Sequence, residues 1–372
     1  MPRLCRQKAF SGRKGFELQF NWLFVLIAGG IILLFFFAVI KNQASGAETE
    51  QASELQQDVD FLFRGSLGSR ESEKIIPVGG KVEFFCDEGV STYIVEGSKV
   101  FSQYNYISVF SPSILDGDHF LLRTDLFRAP FHVMPFLYAT NDNVEYVFVG
   151  NESEETLKIL FDGLPKNSTK RFLDPSQLGG FKDNNYDFTI FISNQSTFED
   201  EMSDVMTTKL ASAISKNRED RFLLVVLRPK NDIVDYYGEI DFYTYGGSGV
   251  RKFQKAKGDY LFFTPELLLG AVYSGDASIY SCQFQKAIQR MNLISRLHME
   301  RIDALLQVPK YESDCVAEYG QMRNVLSDIA SQTEDPGKSM SLDDVGDLFE
   351  SIQEAKQCNA RLLAKTSCHP VY

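Results

Sequence analysis

The chain has 372 residues, with 38 basic and 50 acidic side chains and a formal net charge of −12. Residues 1–40 hold five of the basic residues and one acid, leaving 33 against 49, a net −16, for the remainder. So acidic a remainder argues against nucleic acid as a partner and against attraction to anionic headgroups, while 44% hydrophobic and 13% aromatic content argues against a disordered stalk.

In chain order, residues 1–15 form a basic tail with Arg3, Arg6, Lys8, Arg13 and Lys14. Residues 16–40 form the expected transmembrane helix. Within it, Trp22 to Ile40 is a run of nineteen apolar or glycine residues, roughly 28 Å of helix and about the thickness of a bilayer's hydrocarbon core. Lys41 follows, then Glu48, Glu50 and Glu54. The excess of positive charge ahead of the span orients the N-terminus to the cytoplasm and residues 41–372 to the outside of the cell. The apolar run exceeds the roughly 7–15 residues of a signal-peptide core, so it reads as a retained anchor. Ala44-Ser45-Gly46 is where a cleavable version would be cut.

Residues 41–70 contain a juxtamembrane helix from Glu48 to Phe63, with Leu55, Val59, Leu62 and Phe63 on one face. Residues 71–150 read as β-rich. Short runs such as Ile75–Val78, Lys81–Cys86, Thr92–Val95, His119–Arg123, His132–Ala139 and Glu145–Val149 are separated by Gly79-Gly80, Asp87-Glu88-Gly89, Asp116-Gly117-Asp118 and Asn141-Asp142-Asn143. Residues 151–275 read as α/β: a helix at Glu152–Asp162, a polar loop from Pro165 to Asp187, a strand at Phe188–Ile192, a helix at Glu199–Ser215 and a strand at Phe222–Leu227. That β-α-β order predicts parallel pairing. Strands at Glu239–Tyr245, Val250–Phe253 and Asp259–Phe263 follow, with Gly246-Gly247-Ser248-Gly249 as a turn. Residues 276–372 are helical: Ile279–Leu306, Cys315–Ile329, and a last helix opening at Ser341 with Asp344 as a variant capping box. The fold class is therefore α/β, α+β overall, with C-terminal antiparallel helices.

Cys5 falls on the cytoplasmic side; Cys86, Cys282, Cys315, Cys358 and Cys368 fall outside, where disulfides persist. Antiparallel packing of the last helices brings Cys315 toward Cys358 or Cys368. Either pairing closes a loop of roughly 45–55 residues, worth on the order of 3–4 kcal/mol. Five such cysteines leave one thiol over. Three sequons, beginning at Asn151, Asn167 and Asn194, are candidate glycosylation sites.

No catalytic, cofactor or metal signature is present in the sequence: no Walker A loop, no dinucleotide glycine fingerprint, no nucleophile elbow and no clustered His or Cys ligands. The acidic runs Glu152-Glu154-Glu155, Glu199-Asp200-Glu201 and Asp343-Asp344 stand at helix starts, where the dipole favours them. Asp116-Gly117-Asp118 lacks the further ligands of a calcium loop and reads as a turn. One ligand rim is suggested by topology. Arg228 and Lys230 follow a strand of the β-α-β unit, where an anion would meet the carboxyl ends of the strands.

Two resemblances add to this. Lys14-Gly15-Phe16 resembles the cleavage site of type IV prepilins, in which a long apolar helix follows at once and continues out of the membrane as the spine of a pilus subunit. Here Phe20 stands where that family places Glu at the fifth position after the cut, and the nearest acid is Glu17. The stretch GFELQFNWLFVLIAGGIILLFFF, with FRAPFHVMPFLYAT, resembles a group of uncharacterised archaeal single-pass membrane proteins, which implies topology and no mechanism. The expectation is a membrane-tethered extracellular protein acting by interaction, a structural or assembly component of the cell envelope. Its partners are the bilayer through residues 16–40 and another protein or a second copy. The alternatives are a pilin-like subunit cut after Gly15, and an ectoenzyme or solute-binding protein using the sheet crevice.

Overall fold

The computed structural model describes residues 14–66, 72–96, 101–105, 107–182, 186–194, 208, 210, 211, 214, 221–230, 237–246, 252–307, 313–335, 340–365 and 368–372. The first helix, α1, runs unbroken over Lys14–Ser66. Its segment Trp22–Lys41 has a mean hydropathy of 3.1 and buries none of its residues in the protein. Side chains such as Phe24, Leu34 and Phe37 are accordingly exposed. Helix formation satisfies every backbone polar group of such a segment internally, which a bilayer requires. The described residues up to Glu54 group with this segment, and from Leu55 onward the described chain belongs to a second, globular unit.

Two mixed sheets build the globular unit. The first has six strands in the order β3 (Phe101–Tyr104), β2 (Val90–Val95), β1 (Ser72–Asp87), β5 (Ile114–Arg128), β6 (His132–Asn141) and β4 (Ser108–Phe110). Among the described residues, β4 and β6 are its one parallel pair. The Gly79-Gly80 and Asp116-Gly117-Asp118 punctuation does not end strands as expected. Both lie within the long β1–β5 ladder, where Gly80 faces Gly117 across a register irregularity that begins at Pro77. The glycines absorb a bulge there, and the strand continues. By contrast Glu88-Gly89 does form a two-residue hairpin: both have positive φ, 46° and 77°, as a primed turn needs.

The second sheet runs β12 (Phe253–Lys255), β11 (Gly238–Tyr245), β10 (Phe222–Pro229), β9 (Phe188–Asn194), β7 (Val144–Val149) and β8 (Thr169–Leu173), with β13 (Tyr260–Phe262) beside β11. β9 and β10 pair parallel, as the β-α-β reading requires. The helix expected at Glu199–Ser215 lies mostly outside the described residues, but Leu210, Ala211 and Ile214 are buried in the core on one face of this sheet, with Phe191, Phe222 and Tyr245. Two differences from expectation have simple causes. The chain changes sheets at Asn141–Asn143, so β7 belongs with the α/β half and not with the β-rich segment. And β8 rises from within the expected polar loop, because its TKRFL text is half-buried at a sheet edge and carries no strong apolar signal. The turn expected at Gly246–Gly249 lies largely outside the described residues.

Helix α2 spans Glu155–Gly163 and α3 spans Pro265–Ser274. Thr264 caps α3, accepting from Leu267 N, and Pro265 occupies the first turn. α3 lies between the sheets: a Cβ on Gly270 would stand 2.7 Å from the Phe110 ring, and one on Gly275 would stand 2.9 Å from Ile190 and Leu223. With neighbours on both sides, every residue from Leu267 to Ser274 is buried. The helical layer is α4 (Ala277–Leu306), α5 (Ser313–Gln332) and α6 (Leu342–Ala364). The capping box at α6 is formed: Asp344 N donates to Ser341 Oγ at 3.1 Å and Ser341 N to Asp344 Oδ2 at 2.8 Å.

Candidate functional site

A buried polar arrangement joins three parts of the globular unit: the end of α1, the β2–β3 hairpin and α4. On α1, Gln56 and Asp60 lie one helical turn apart and so share a face. Asp60 Oδ1 accepts from Tyr93 Oη at 2.6 Å and from Tyr104 Oη, and Gln56 Nε2 donates to Ser102 Oγ at 2.8 Å. The two tyrosine rings stack with centroids 5.9 Å apart. Burial and the Asp60 carboxylate hold both hydroxyls well above the usual tyrosine range, so they remain donors at any physiological pH. A carboxylate that accepts hydrogen bonds from two phenols makes charge-assisted contacts, each worth more than a neutral hydrogen bond.

Behind Tyr104 sits Lys286 of α4, only 3% exposed. Its Nζ donates to Ser91 Oγ (2.9 Å), Tyr104 O (2.5 Å) and Ile107 O (2.6 Å). Gln283, one turn earlier, accepts from Ser91 Oγ at 2.9 Å and from Val109 N at 3.2 Å. Loss of solvation pulls the Lys286 amine from 10.5 down to about 7. The disulfide Cys86–Cys282 closes the group covalently, since Cys86 is the cross-strand neighbour of Ser91 and Cys282 precedes Gln283.

Ser91 Oγ and Lys286 Nζ stand 2.9 Å apart, and the Ser91 hydroxyl donates to Gln283 Oε1 while the Tyr104 and Ile107 carbonyls accept from the amine. The adjoining cavity, bounded by Ser91, Tyr93, Tyr104 and Gln283, measures about 10 Å³, room for one water. What the arrangement does is hold the end of α1, the hairpin and α4 together.

Of the residues singled out from the sequence, Cys315 bonds to Cys368, and Cys358 is a buried free thiol within 3.0 Å of an Arg361 nitrogen. Burial raises that thiol's pKa, which disfavours the reactive thiolate. The rim cations are engaged within the chain. Arg228 lies 2.7 Å from Asp241, which Lys255 also contacts at 2.6 Å, and Lys230 lies 3.5 Å from Asp343 and over the Tyr237 ring. Asp116 offers its carbonyl oxygen to the side-chain amides of Asn141 and Asn143, a polypeptide clasp in place of a calcium loop. Among the described residues no group of three or more His, Cys, Asp or Glu is placed to hold a metal. Asn151 and Asn167 are exposed, whereas Asn194 is 5% exposed at the end of β9.

Lys286, Gln283 and Ser91 escaped sequence reasoning. A lysine in an otherwise amphipathic helix carries no mark of burial, and the residues that bury it lie more than 175 positions away. No family model matches the chain, and comparisons with curated proteins and with solved structures find no match.

Proposed function

We propose that the chain is a single-pass membrane protein with a cytoplasmic N-terminus and an extracellular α/β domain, and that it acts by interaction as a structural or assembly component of the cell envelope. The observation that carries this reading is the twenty-residue span Trp22–Lys41, none of it buried in the protein. Only an apolar medium accommodates such a surface without the cost of hydrating it, about 25 cal/mol per Å² of apolar area. The basic residues ahead of the span support the orientation. So do the two disulfides, which persist outside and are rare in the cytosol. Protease treatment of intact cells tests it: the domain is expected to be degraded while residues ahead of the span are protected, and the reverse pattern refutes the orientation.

A pilin-like subunit is the second reading, favoured by the unbroken helix Lys14–Ser66, whose far end docks on an antiparallel portion of a sheet through Gln56 and Asp60. N-terminal sequencing of the mature protein separates the two: a start at Phe16 makes the pilin-like reading the correct one, and a start within residues 1–14 excludes it.

A further inference from the structure

We infer that Asn151 and Asn167 carry N-linked glycans and that Asn194 does not. The inference rests on the extracellular placement proposed above. All three asparagines open an N-x-S/T sequon, so sequence alone treats them alike. Their surroundings do not. Asn151 is exposed in the turn between β7 and α2, and its carboxamide oxygen accepts from Ser153 N at 3.1 Å. That turn fixes the side chain by its oxygen and leaves the amide nitrogen, the atom a glycosyl group joins, without a hydrogen bond among the described residues. Asn167 is exposed in the turn Pro165–Ser168, which is closed by Ser168 N donating to Pro165 O at 3.1 Å. Asn194, in contrast, is the last residue of β9, aligned with Leu227 of β10 in the parallel ladder and almost wholly buried. A sugar on its amide would have to displace the sheet.

The transfer balances without an oxidant. A sugar C1–Nδ2 bond forms, the C1–O bond to a polyprenyl-phosphate-linked donor breaks, the phosphate leaves with the bonding pair, and the amide proton passes to a base of the transferase. The two sites also share a location with a consequence. Asn151 follows the end of β7 and Asn167 precedes the start of β8, so they stand at opposite ends of that parallel pair. β8 is the terminal strand of its sheet among the described residues. Glycans at both ends would cover an edge whose outer backbone groups otherwise invite another strand.

The test maps glycopeptides of the full-length protein purified from its native membrane, alongside Ser153→Ala, Asn167→Gln and Asn194→Gln. Ser153→Ala removes the first sequon while keeping the backbone N–H that forms the turn. The expected result is sugar on the Asn151 and Asn167 peptides, loss of one glycan in each of the first two variants, and no mass change beyond the substitution in the third. Lysine labelling of intact cells with a membrane-impermeant reagent runs in parallel. If the domain is labelled and either Asn151 or Asn167 is bare, the inference is overturned while the extracellular placement stands. A glycan on Asn194 overturns it too. An unlabelled domain overturns both.

Discussion

Replacing Lys286 with Met keeps an unbranched apolar stem in the site and removes the ammonium. Two effects oppose each other. The Tyr104 and Ile107 carbonyls lose their Lys286 donor in surroundings where both residues are 2% exposed. A hydrogen bond from a charged donor is worth about 1.5–3 kcal/mol, so losing the two costs roughly 3–6 kcal/mol, although Ile107 O keeps the Ser91 hydroxyl at 3.3 Å. Against that, the variant no longer keeps a charge out of water. The amine's displacement from 10.5 to about 7 corresponds to roughly 5 kcal/mol below pH 7, at about 1.4 kcal/mol per unit. Because the folded-state value lies below the unfolded one, the unfolded chain binds more protons between them. Wild-type stability therefore rises as pH climbs from about 7 toward 10.5, and the variant lacks that rise. At pH 6 the opposing effects largely cancel. By pH 9 the gap has moved in the wild type's favour by about 3 kcal/mol. Urea unfolding of the detergent-solubilised protein, followed by far-UV circular dichroism at both pH values, reads this directly. A gap that stays constant to within about 1 kcal/mol would show that the three acceptors hold the amine's pKa near its ordinary value, and would refute the reasoning.

The two disulfides close independent loops, with sequence separations of 196 and 53. Chain entropy assigns about 5 kcal/mol to Cys86–Cys282 and about 4 kcal/mol to Cys315–Cys368. Paired serine variants should lose stability in that order in the same urea assay, and a larger loss at the shorter loop counts against the entropic account. Asp60→Ala removes the acceptor of two tyrosine hydroxyls and should loosen the end of α1. Amide exchange over Gln56–Ser66 is expected to quicken at least tenfold, equivalent to about 1.4 kcal/mol, with α4 to α6 unaffected; unchanged exchange would show that the contact is not what holds the helix. Gly270→Ala places a methyl 2.7 Å from the Phe110 ring and should cost about 1–3 kcal/mol, seen as a lowered urea midpoint. A midpoint equal to wild type would mean that α3 can shift freely between the sheets.

The helical layer was the most legible part of the fold. α4, α5 and α6 each present one apolar face to the core, so their period survives in the sequence, and the capping box at Ser341 marks a start to the residue. α3 was invisible for the opposite reason: buried on all sides, PELLLGAVYS has no polar face to set a period, and only Thr264-Pro265 hints at its start. Strand text was readable between Lys74 and Val149, but not its division between two sheets. Which ladder a strand joins depends on partners far along the chain, as Gly80 and Gly117 show. The same distance hid the polar junction. Nothing near Lys286 announces that Ser91 and the 104–107 carbonyls will enclose it, and nothing near Cys86 announces Cys282.

The Cys86–Cys282 bond also decides how the molecule would answer a pull. If tension enters through the N-terminal helix and leaves through the C-terminal end of the chain, the extending backbone runs to Cys86 and then crosses the sulfurs to Cys282. The intervening stretch, which spans a sequence separation of 196 and holds most of both sheets, lies off the load path. Fully drawn out, that stretch would be about 650–700 Å long, and none of it can be released until the bond is reduced. Stretching a single molecule with and without reductant would show this length appear as an added extension, a mechanical reserve under chemical control.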